Sequence, residues 1–334
     1  MNQYQDYSAY QYDQATFTAK PPRARLHTSL IAFAVVLVIL LTSVAQLFIH
    51  ELLLLTAPAV TENDWYFWAL SVLPMYLIGM PLAYLVLLAI PKSAPQKQKL
   101  HPLMWVGFLC LCFALSLVSN YFGQMVSAWF SSVTGIEVGN ELAEMTSVTP
   151  LGVNILFVGI LAPFFEELFY RKAVIDRLRR YGDLPAILIS GLIFGLIHGN
   201  LSQIFYAAAV GMLLSFIYVR TGSVLYTISI HAAFNMIGGV YTTELVRRLG
   251  DNLMPAEGDT VGQIMLIAYS AFTILSLIVG IIFYLANAGR FHRSLKKGEY
   301  TLRFDQWMNA LVLNPGMWVF LIMIAILIIS SLFA

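Results

Sequence analysis

Charge is what this sequence has least of: only 11% of its 334 residues are Asp, Glu, Lys or Arg. Soluble domains carry about 25% charged residues, and 59% of the residues here are hydrophobic. This composition excludes an ordinary soluble protein and predicts an integral membrane protein that contacts the lipid bilayer along most of its length. The net charge of +1 and the absence of a basic cluster give no indication of nucleic-acid binding.

Cysteine is nearly absent as well. The two cysteines, Cys110 and Cys112, lie two residues apart in one apolar run. A helix turns such neighbours to different sides, so a disulfide between them is not expected. They are interpreted as small packing residues.

Nine apolar runs are candidates for crossing a membrane. They lie at about 29–49, 66–90, 102–130, 151–171, 184–199, 201–219, 222–243, 261–286 and 316–334. The fifth run is short, and the third is longer than one crossing needs. The sequence therefore predicts an all-α bundle of about 8–9 transmembrane helices over residues 28–334, with no second domain.

Lys and Arg are unevenly distributed between the loops. With nine spans and a cytosolic N-terminus, 17 of the 19 basic residues fall on the inner side, and only Arg247 and Arg248 fall outside. Because basic residues accumulate on the cytosolic side of membrane proteins, this orientation is the predicted one. The polar residues 1–27 are expected to form a disordered cytosolic tail rather than a cleavable signal peptide.

Ionisable side chains are costly inside hydrocarbon, and their presence there usually marks function. Four titratable residues nevertheless lie within the apolar runs: Glu166, Glu167, His198 and His231. Arg171 lies at the inner boundary of the run that holds both glutamates. These residue types fall on three helices that are close in sequence, which indicates a functional site.

Helical spacing groups these residues into faces. Glu167 and Arg171 are four residues apart and are expected to pair. Glu166 is turned about 100° away from Glu167, so it is left free to act elsewhere. His231 and Asn235 are also four apart, which places an imidazole and an amide on one face.

The fifth run has two patterns of its own. Phe194 and His198 are four residues apart, so an aromatic ring lies one turn before the imidazole. Gly191, Gly195 and Gly199 repeat at the same spacing and form a face of small residues. Such a face predicts close approach of a neighbouring helix.

This set of side chains suits amide hydrolysis. A glutamate and a histidine around one water can form a general base. A second histidine and an asparagine can donate hydrogen bonds to a developing oxyanion. No serine or cysteine accompanies the histidines in the pattern of an acyl-enzyme site.

Zinc is an open alternative to this metal-free interpretation. Glu166, His198 and His231 could be zinc ligands that leave a fourth position for water. The zinc-protease motif H-E-x-x-H is absent from the sequence. No cofactor is therefore favoured, and zinc stays possible.

The depth of the residues is a difficulty for this mechanism. Glu166 lies about 7–8 Å from the inner end of its run, whereas His198 lies about 21 Å from the start of its own run. Tilted helices, or a fourth run that continues into the cytosol as far as Arg180, would bring the two side chains to one height.

Three motifs, E-E-x-x-x-R from Glu166, F-x-x-x-H from Phe194 and H-x-x-x-N from His231, follow one another within about 70 residues. This ordered set resembles the CPBP family, the CAAX protease and bacteriocin-processing (Abi) group that includes the type II CAAX prenyl endopeptidases. The resemblance covers about 150–240, which is the expected catalytic core. Members of the family are often labelled metalloproteases.

The resemblance implies roles for the motif residues. Glu166 and His198 would activate a water molecule. His231 and Asn235 would stabilise the oxyanion. The supporting residues would be Glu167, Arg171 and Phe194.

The function implied is that of an intramembrane endopeptidase, in a bacterial cell membrane, that cuts a hydrophobic or lipidated, CAAX-like peptide. One alternative is a proton-coupled transporter with a Glu/His relay, although no paired repeat of the kind many transporters show is present. Another is a non-catalytic bacteriocin-immunity or scaffolding protein, against which the intact motifs argue.

Overall fold

The structure is a computed structural model that describes residues 21–63, 65–139, 141–250, 252–300 and 302–332. Throughout these ranges the regular secondary structure is helical, so the predicted all-α class is confirmed. We number the principal helices in chain order: α1 Pro21–Thr56, α2 Tyr66–Leu87, α3 Pro102–Thr134, α4 Leu151–Tyr181, α5 Asp183–Leu196, α6 Leu201–Thr221, α7 Val224–Leu249, α8 Thr260–Arg293, α9 Phe304–Val312 and α10 Pro315–Ser331. Two short helices, Pro58–Thr61 and Glu141–Val148, lie in the loops after α1 and α3.

The first helix is longer than the first apolar run. It begins at Pro21, and proline is well tolerated in the first turn of a helix because the N–H it lacks would be unpaired there. Residues 21–27 of the predicted tail are therefore helical. Residues 1–20, the remainder of that tail, lie outside the described residues.

The number of candidate spans in the described ranges is lower than nine, the upper predicted number. In the described ranges, seven helices are long and apolar enough to cross a membrane, or eight if α9 and α10, bent by 57°, form one broken span. The helix of the fifth run, α5, has only 14 residues. The chain leaves it before Gly199, whose φ of +64° lies in the left-handed region. A count of eight is thus reached and a count of nine is not.

The core has two parts that share helix α6. One cluster of buried side chains comes from α1, α2, α4, α5, α6 and α10, and the other from α3, α6 and α7. Buried residues of α6 such as Ala207 belong to the first cluster and Leu214 to the second. The described helices are therefore joined into one bundle through α6.

Helices α5 and α6 approach each other closely at two glycines. A Cβ added to Gly191 would lie 2.7 Å from the backbone nitrogen of Met212, and one added to Gly195 would lie 2.7 Å from that of Ala208. The close approach predicted from the glycine spacing is confirmed at these two positions. Gly199 instead lies beyond the end of the helix.

Replacing Gly195 by alanine is expected to lower the free energy of unfolding by about 1–3 kcal/mol, because the added methyl group overpacks the contact with α6. Thermal unfolding of the purified protein in detergent measures the effect. Gly152→Ala is the matched control, because a Cβ at Gly152 has nothing within 4 Å. Equal melting temperatures for both variants would contradict the close approach.

The turn between α4 and α5 sets the height of the site. Helix α4 continues to Tyr181, and Gly182 turns the chain with φ of +118°. Glu166 lies fifteen residues before Tyr181, and His198 lies fifteen residues after Asp183. At 1.5 Å per residue both are about 22 Å from the turn. The difficulty over depth is therefore resolved by the longer fourth helix.

Polar contacts hold this turn in place. Arg179 Nε donates to Asp183 Oδ1 at 2.9 Å, and the backbone N–H of Lys296 donates to Asp183 Oδ2 at 2.9 Å. Arg179 Nη1 also donates to the carbonyl of Ser93 at 3.0 Å. The loops after α2 and α8 therefore fix the start of α5, and with it the height of His198.

Candidate active site

Of the two glutamates in the site, Glu166 is the one whose side chain is partly exposed. It ends the α-helical stretch Ala162–Glu166 within α4, and its side chain is 16% exposed. The hydroxyl of Tyr76 on α2 donates a hydrogen bond to Glu166 Oε1 at 3.3 Å. The other oxygen, Oε2, lies 4.0 Å from Nε2 of His231 on α7. Glu166 thus stands apart from the ion pair on its own helix, as the spacing predicted.

Glu167 points in a different direction and is completely buried. Its Oε2 lies 3.0 Å from Nε of Arg171, so the predicted pairing is confirmed. Its Oε1 lies 3.0 Å from Nδ1 of His231. Glu167 therefore connects the cation of α4 with the imidazole of α7.

Arg171 is fully buried and has few partners. Its Cζ lies 4.5 Å from the centroid of the Phe194 ring, whose face attracts a cation. Within the described ranges its two terminal nitrogens have no hydrogen-bond partner. The free-energy cost of burying a charge depends strongly on its partners. The charged partner of Arg171 is Glu167.

His231 lies between the two glutamates. Because a carboxylate only accepts hydrogen bonds, the contact with Glu167 places a proton on Nδ1. The opposite nitrogen, Nε2, then faces Glu166. A neutral His231 would present Nε2 as an acceptor, and a doubly protonated one would present it as a donor.

Phe194 of α5 separates the two imidazoles. Its ring centroid lies 5.1 Å from that of His198 and 5.8 Å from that of His231, edge to face in both cases. It also contacts the ring of Tyr170 on α4 at 5.3 Å. Phe194 thus packs against residues from three parts of the site, and its supporting role stays a prediction.

His198 lies in the loop after α5. Its Nδ1 is 2.7 Å from the carbonyl oxygen of Phe194, and since a carbonyl only accepts, Nδ1 carries the hydrogen. In the neutral ring Nε2 is then free to accept a hydrogen bond. The imidazole nearest to Glu166, however, is that of His231 and not that of His198.

Asn235 joins α7 to α4. Its Nδ2 donates to the carbonyl oxygen of Val158 at 2.9 Å. A side-chain amide has two N–H groups, so one is used between helices and one is left for another acceptor. The oxyanion role of Asn235 stays a prediction.

Stretches of π-helix adjoin the site. Glu166 and Asn235 each come directly before one, Glu167–Ile175 and Met236–Tyr241 respectively. Tyr76 lies in a third such stretch. Deviations of this kind are frequent at functional sites, and here they change the direction of the side chains that follow.

The residues proposed for zinc do not form a metal site in this arrangement. Within the described residues, no group of three or more His, Cys, Asp or Glu side chains is placed to hold a metal ion. This applies to Glu166, His198 and His231, although their donor types would suit zinc.

Two contacts of the site are not indicated by the motifs and their spacing. One is that of Tyr76, whose sequence signal is a tyrosine in the middle of an apolar run, between Pro74 and Pro81. The other is the contact of Glu167 with His231, since the two residues are 64 positions apart. Both are contacts between helices, which motif spacing does not report.

Comparison with known proteins gives one family model and distant relatives. Residues 149–237 match a family model described as type II CAAX prenyl endopeptidase Rce1-like. The chain is 24% identical over 179 residues to "Putative membrane peptidase YdiL" of Bacillus subtilis, which covers 52% of this chain and 71% of the relative. It is 19% identical over 166 residues to "UPF0177 protein YxdF" of Lactococcus lactis, covering 49% of this chain and 88% of the relative. No solved structure matches.

Proposed function

We propose that the chain, whose residues 149–237 match an Rce1-like family model, is an intramembrane protease that hydrolyses a peptide bond in a hydrophobic or lipidated, CAAX-like substrate. The observation that supports this most is that His231 lies 4.0 Å from Glu166 and that one phenylalanine ring, Phe194, contacts both His231 and His198. Substrates of this chemistry can reach a site that lies within the bilayer.

In the proposed reaction Glu166 and His198 activate water. His198, with its Nδ1 proton donated to a backbone carbonyl, offers Nε2 as an acceptor that orients the water molecule. Glu166 removes one proton from that water as general base. The water oxygen forms a bond to the carbonyl carbon of the peptide, and the carbonyl oxygen becomes an oxyanion.

His231 and Asn235 then stabilise the oxyanion. With Nδ1 already donated to Glu167, His231 must carry a second proton on Nε2 to act as a donor. The N–H of Asn235 that Val158 does not use is the second donor. The C–N bond then breaks, and the amine nitrogen takes the proton held by Glu166.

The orientation in the membrane is proposed from the charged residues at the turn between α4 and α5. Arg179, Asp183 and Lys296 meet at the turn between α4 and α5, where basic residues are concentrated, and Arg180 pairs nearby with Glu299. We place this end of the bundle in the cytosol, with the N-terminus, and the protein in a bacterial cell membrane.

Cleavage by the purified protein tests the function directly. The protein is reconstituted in liposomes with hydrophobic peptides and with peptides carrying a C-terminal lipid, and the products are identified by mass spectrometry. We expect two fragments whose masses sum to the substrate plus one water. Proton-coupled uptake of a solute without any cleavage would contradict the proposal and support a transporter.

Extensive chelation tests the metal-free form of the mechanism. Because the acid, the imidazoles and the amide supply every proton transfer and donor in the proposed reaction, turnover is expected to stay within about twofold of the untreated rate. The measurement is peptide cleavage before and after dialysis against a chelator, with elemental analysis of the same samples. Loss of turnover that added zinc restores, together with stoichiometric zinc, would contradict this form.

A further inference from the structure

Tyr76 is the polar contact of Glu166 that comes from outside the matched segment 149–237. It lies on α2, in a span that carries no catalytic motif. Its hydroxyl donates to Glu166 Oε1 at 3.3 Å, and its ring is only 2% exposed. A buried tyrosine hydroxyl usually needs a partner, and here that partner is the proposed general base.

Two contacts fix the direction of this hydroxyl. The ring of Tyr76 stacks on Phe165, the residue before Glu166, with centroids 4.7 Å apart and planes 9° from parallel. One turn further along α2, Gly79 allows close approach of α1, since a Cβ there would lie 3.0 Å from the carbonyl oxygen of Val38. Helix α1 therefore supports α2, and α2 holds Tyr76 against α4.

The two oxygens of Glu166 consequently have different surroundings. Oε1 accepts the hydrogen bond from Tyr76, whereas Oε2 faces His231. A carboxylate held in this way is limited in its rotation, so one defined oxygen is presented to the water.

We propose that Tyr76 is a positioning residue for catalysis, which holds Glu166 through Oε1 and leaves Oε2 as the oxygen that removes the proton from water. This inference rests on the proposed peptidase function. It assigns α1 and α2, which lie outside the matched segment, a part in the reaction.

Other polar side chains also lie near Glu166. Besides Tyr76 they come from α4, the loop after α5, α6 and α7: Tyr170, His198, Tyr206 and His231. Tyr76→Phe leaves all of them unchanged and keeps the stacking surface for Phe165. A change in cleavage by this variant is therefore attributable to the lost hydroxyl.

The test compares Tyr76→Phe with Tyr66→Phe in reconstituted full-length protein. Tyr66 is a matched control because it is also buried, lies on the same helix, and has its hydroxyl 2.7 Å from Nδ1 of His50, away from the site.

We expect kcat of Tyr76→Phe to fall roughly 10–100-fold, as for loss of a hydrogen bond to a charged group. KM should change little, because the hydroxyl acts through Glu166. Tyr66→Phe should match the unmodified protein in both kcat and KM.

Infrared spectroscopy separates this inference from the peptidase function. The carboxylate band of Glu166, assigned by its loss in Glu166→Gln, is expected to shift in frequency in Tyr76→Phe but not in Tyr66→Phe, because only the first variant loses the hydrogen bond to Oε1. If the protein cleaves no peptide while this band shifts, the hydrogen bond stands and the peptidase proposal fails. An unchanged band, or equal losses of kcat in the two variants, would overturn the role of Tyr76.

Discussion

Glu166→Gln is expected to lower kcat for peptide cleavage by about 10²–10⁴-fold, because an amide cannot remove a proton from water. Folding and membrane insertion should be unaffected, since glutamine has the same shape and its carbonyl oxygen can still accept from Tyr76. The measurement is single-turnover cleavage by protein reconstituted in liposomes, with thermal unfolding of the same samples.

The matched control for this variant is Glu257→Gln, an equal substitution at an exposed position in the loop before α8. It should cleave at the rate of the unmodified protein. Full activity in Glu166→Gln would remove Glu166 from the mechanism. Equal losses in both variants would indicate a general effect of the substitution.

Glu167→Gln is expected to have the largest effect on stability, because it leaves the buried guanidinium of Arg171 without its anion. Breaking a buried ion pair on one side costs about 3–5 kcal/mol. Cleavage should also fall, on the order of 10²-fold, because His231 loses the carboxylate that accepts the hydrogen bond from its Nδ1–H. Thermal unfolding and cleavage assays measure the two effects separately.

A double variant distinguishes charge from orientation. Glu167→Leu combined with Arg171→Met removes both buried charges, and such apolar replacements are often neutral or stabilising. We expect stability near that of the unmodified protein but no recovery of cleavage. Arg303→Gln is the surface control, since the pair Arg303–Asp305 is more than half exposed and such pairs contribute about 0–1 kcal/mol. An active double variant would show that Glu167 does not orient His231.

Contacts within one helix could be predicted from the sequence, because the helix itself fixes which residues are neighbours. The pair Glu167 and Arg171 is one example, and the separation of Glu166 from that pair is another. The small face at Gly191 and Gly195 is a third, since residues four apart lie on one side.

Contacts between helices could not be predicted in this way. The contact of His231 with Glu167 and the hydrogen bond from Tyr76 to Glu166 depend on how each helix is rotated and shifted against its neighbour. Motif spacing contains no information about either quantity. The same holds for Asn235, whose amide is partly used between α7 and α4.

The helix of the fourth apolar run extends beyond Arg171, where hydropathy alone predicts its end. The run was expected to stop at Arg171, as charged residues usually mark a membrane boundary. Arg171 and Arg177 are instead buried, the first with Glu167 and the second with the backbone carbonyls of Leu87 and Ala173. Because these partners compensate the charges, α4 continues to Tyr181.

Catalysis as proposed requires that the acid and imidazoles from separate spans meet at one site within the membrane. An experimental structure of the protein in a lipid nanodisc tests this most directly, through the distance between Glu166 Oε2 and His231 Nε2. We expect about the 4.0 Å seen here, with His198 at the same height. A separation of more than about 10 Å, beyond the reach of one bound water, or a Glu166 side chain turned toward the acyl chains, would contradict it.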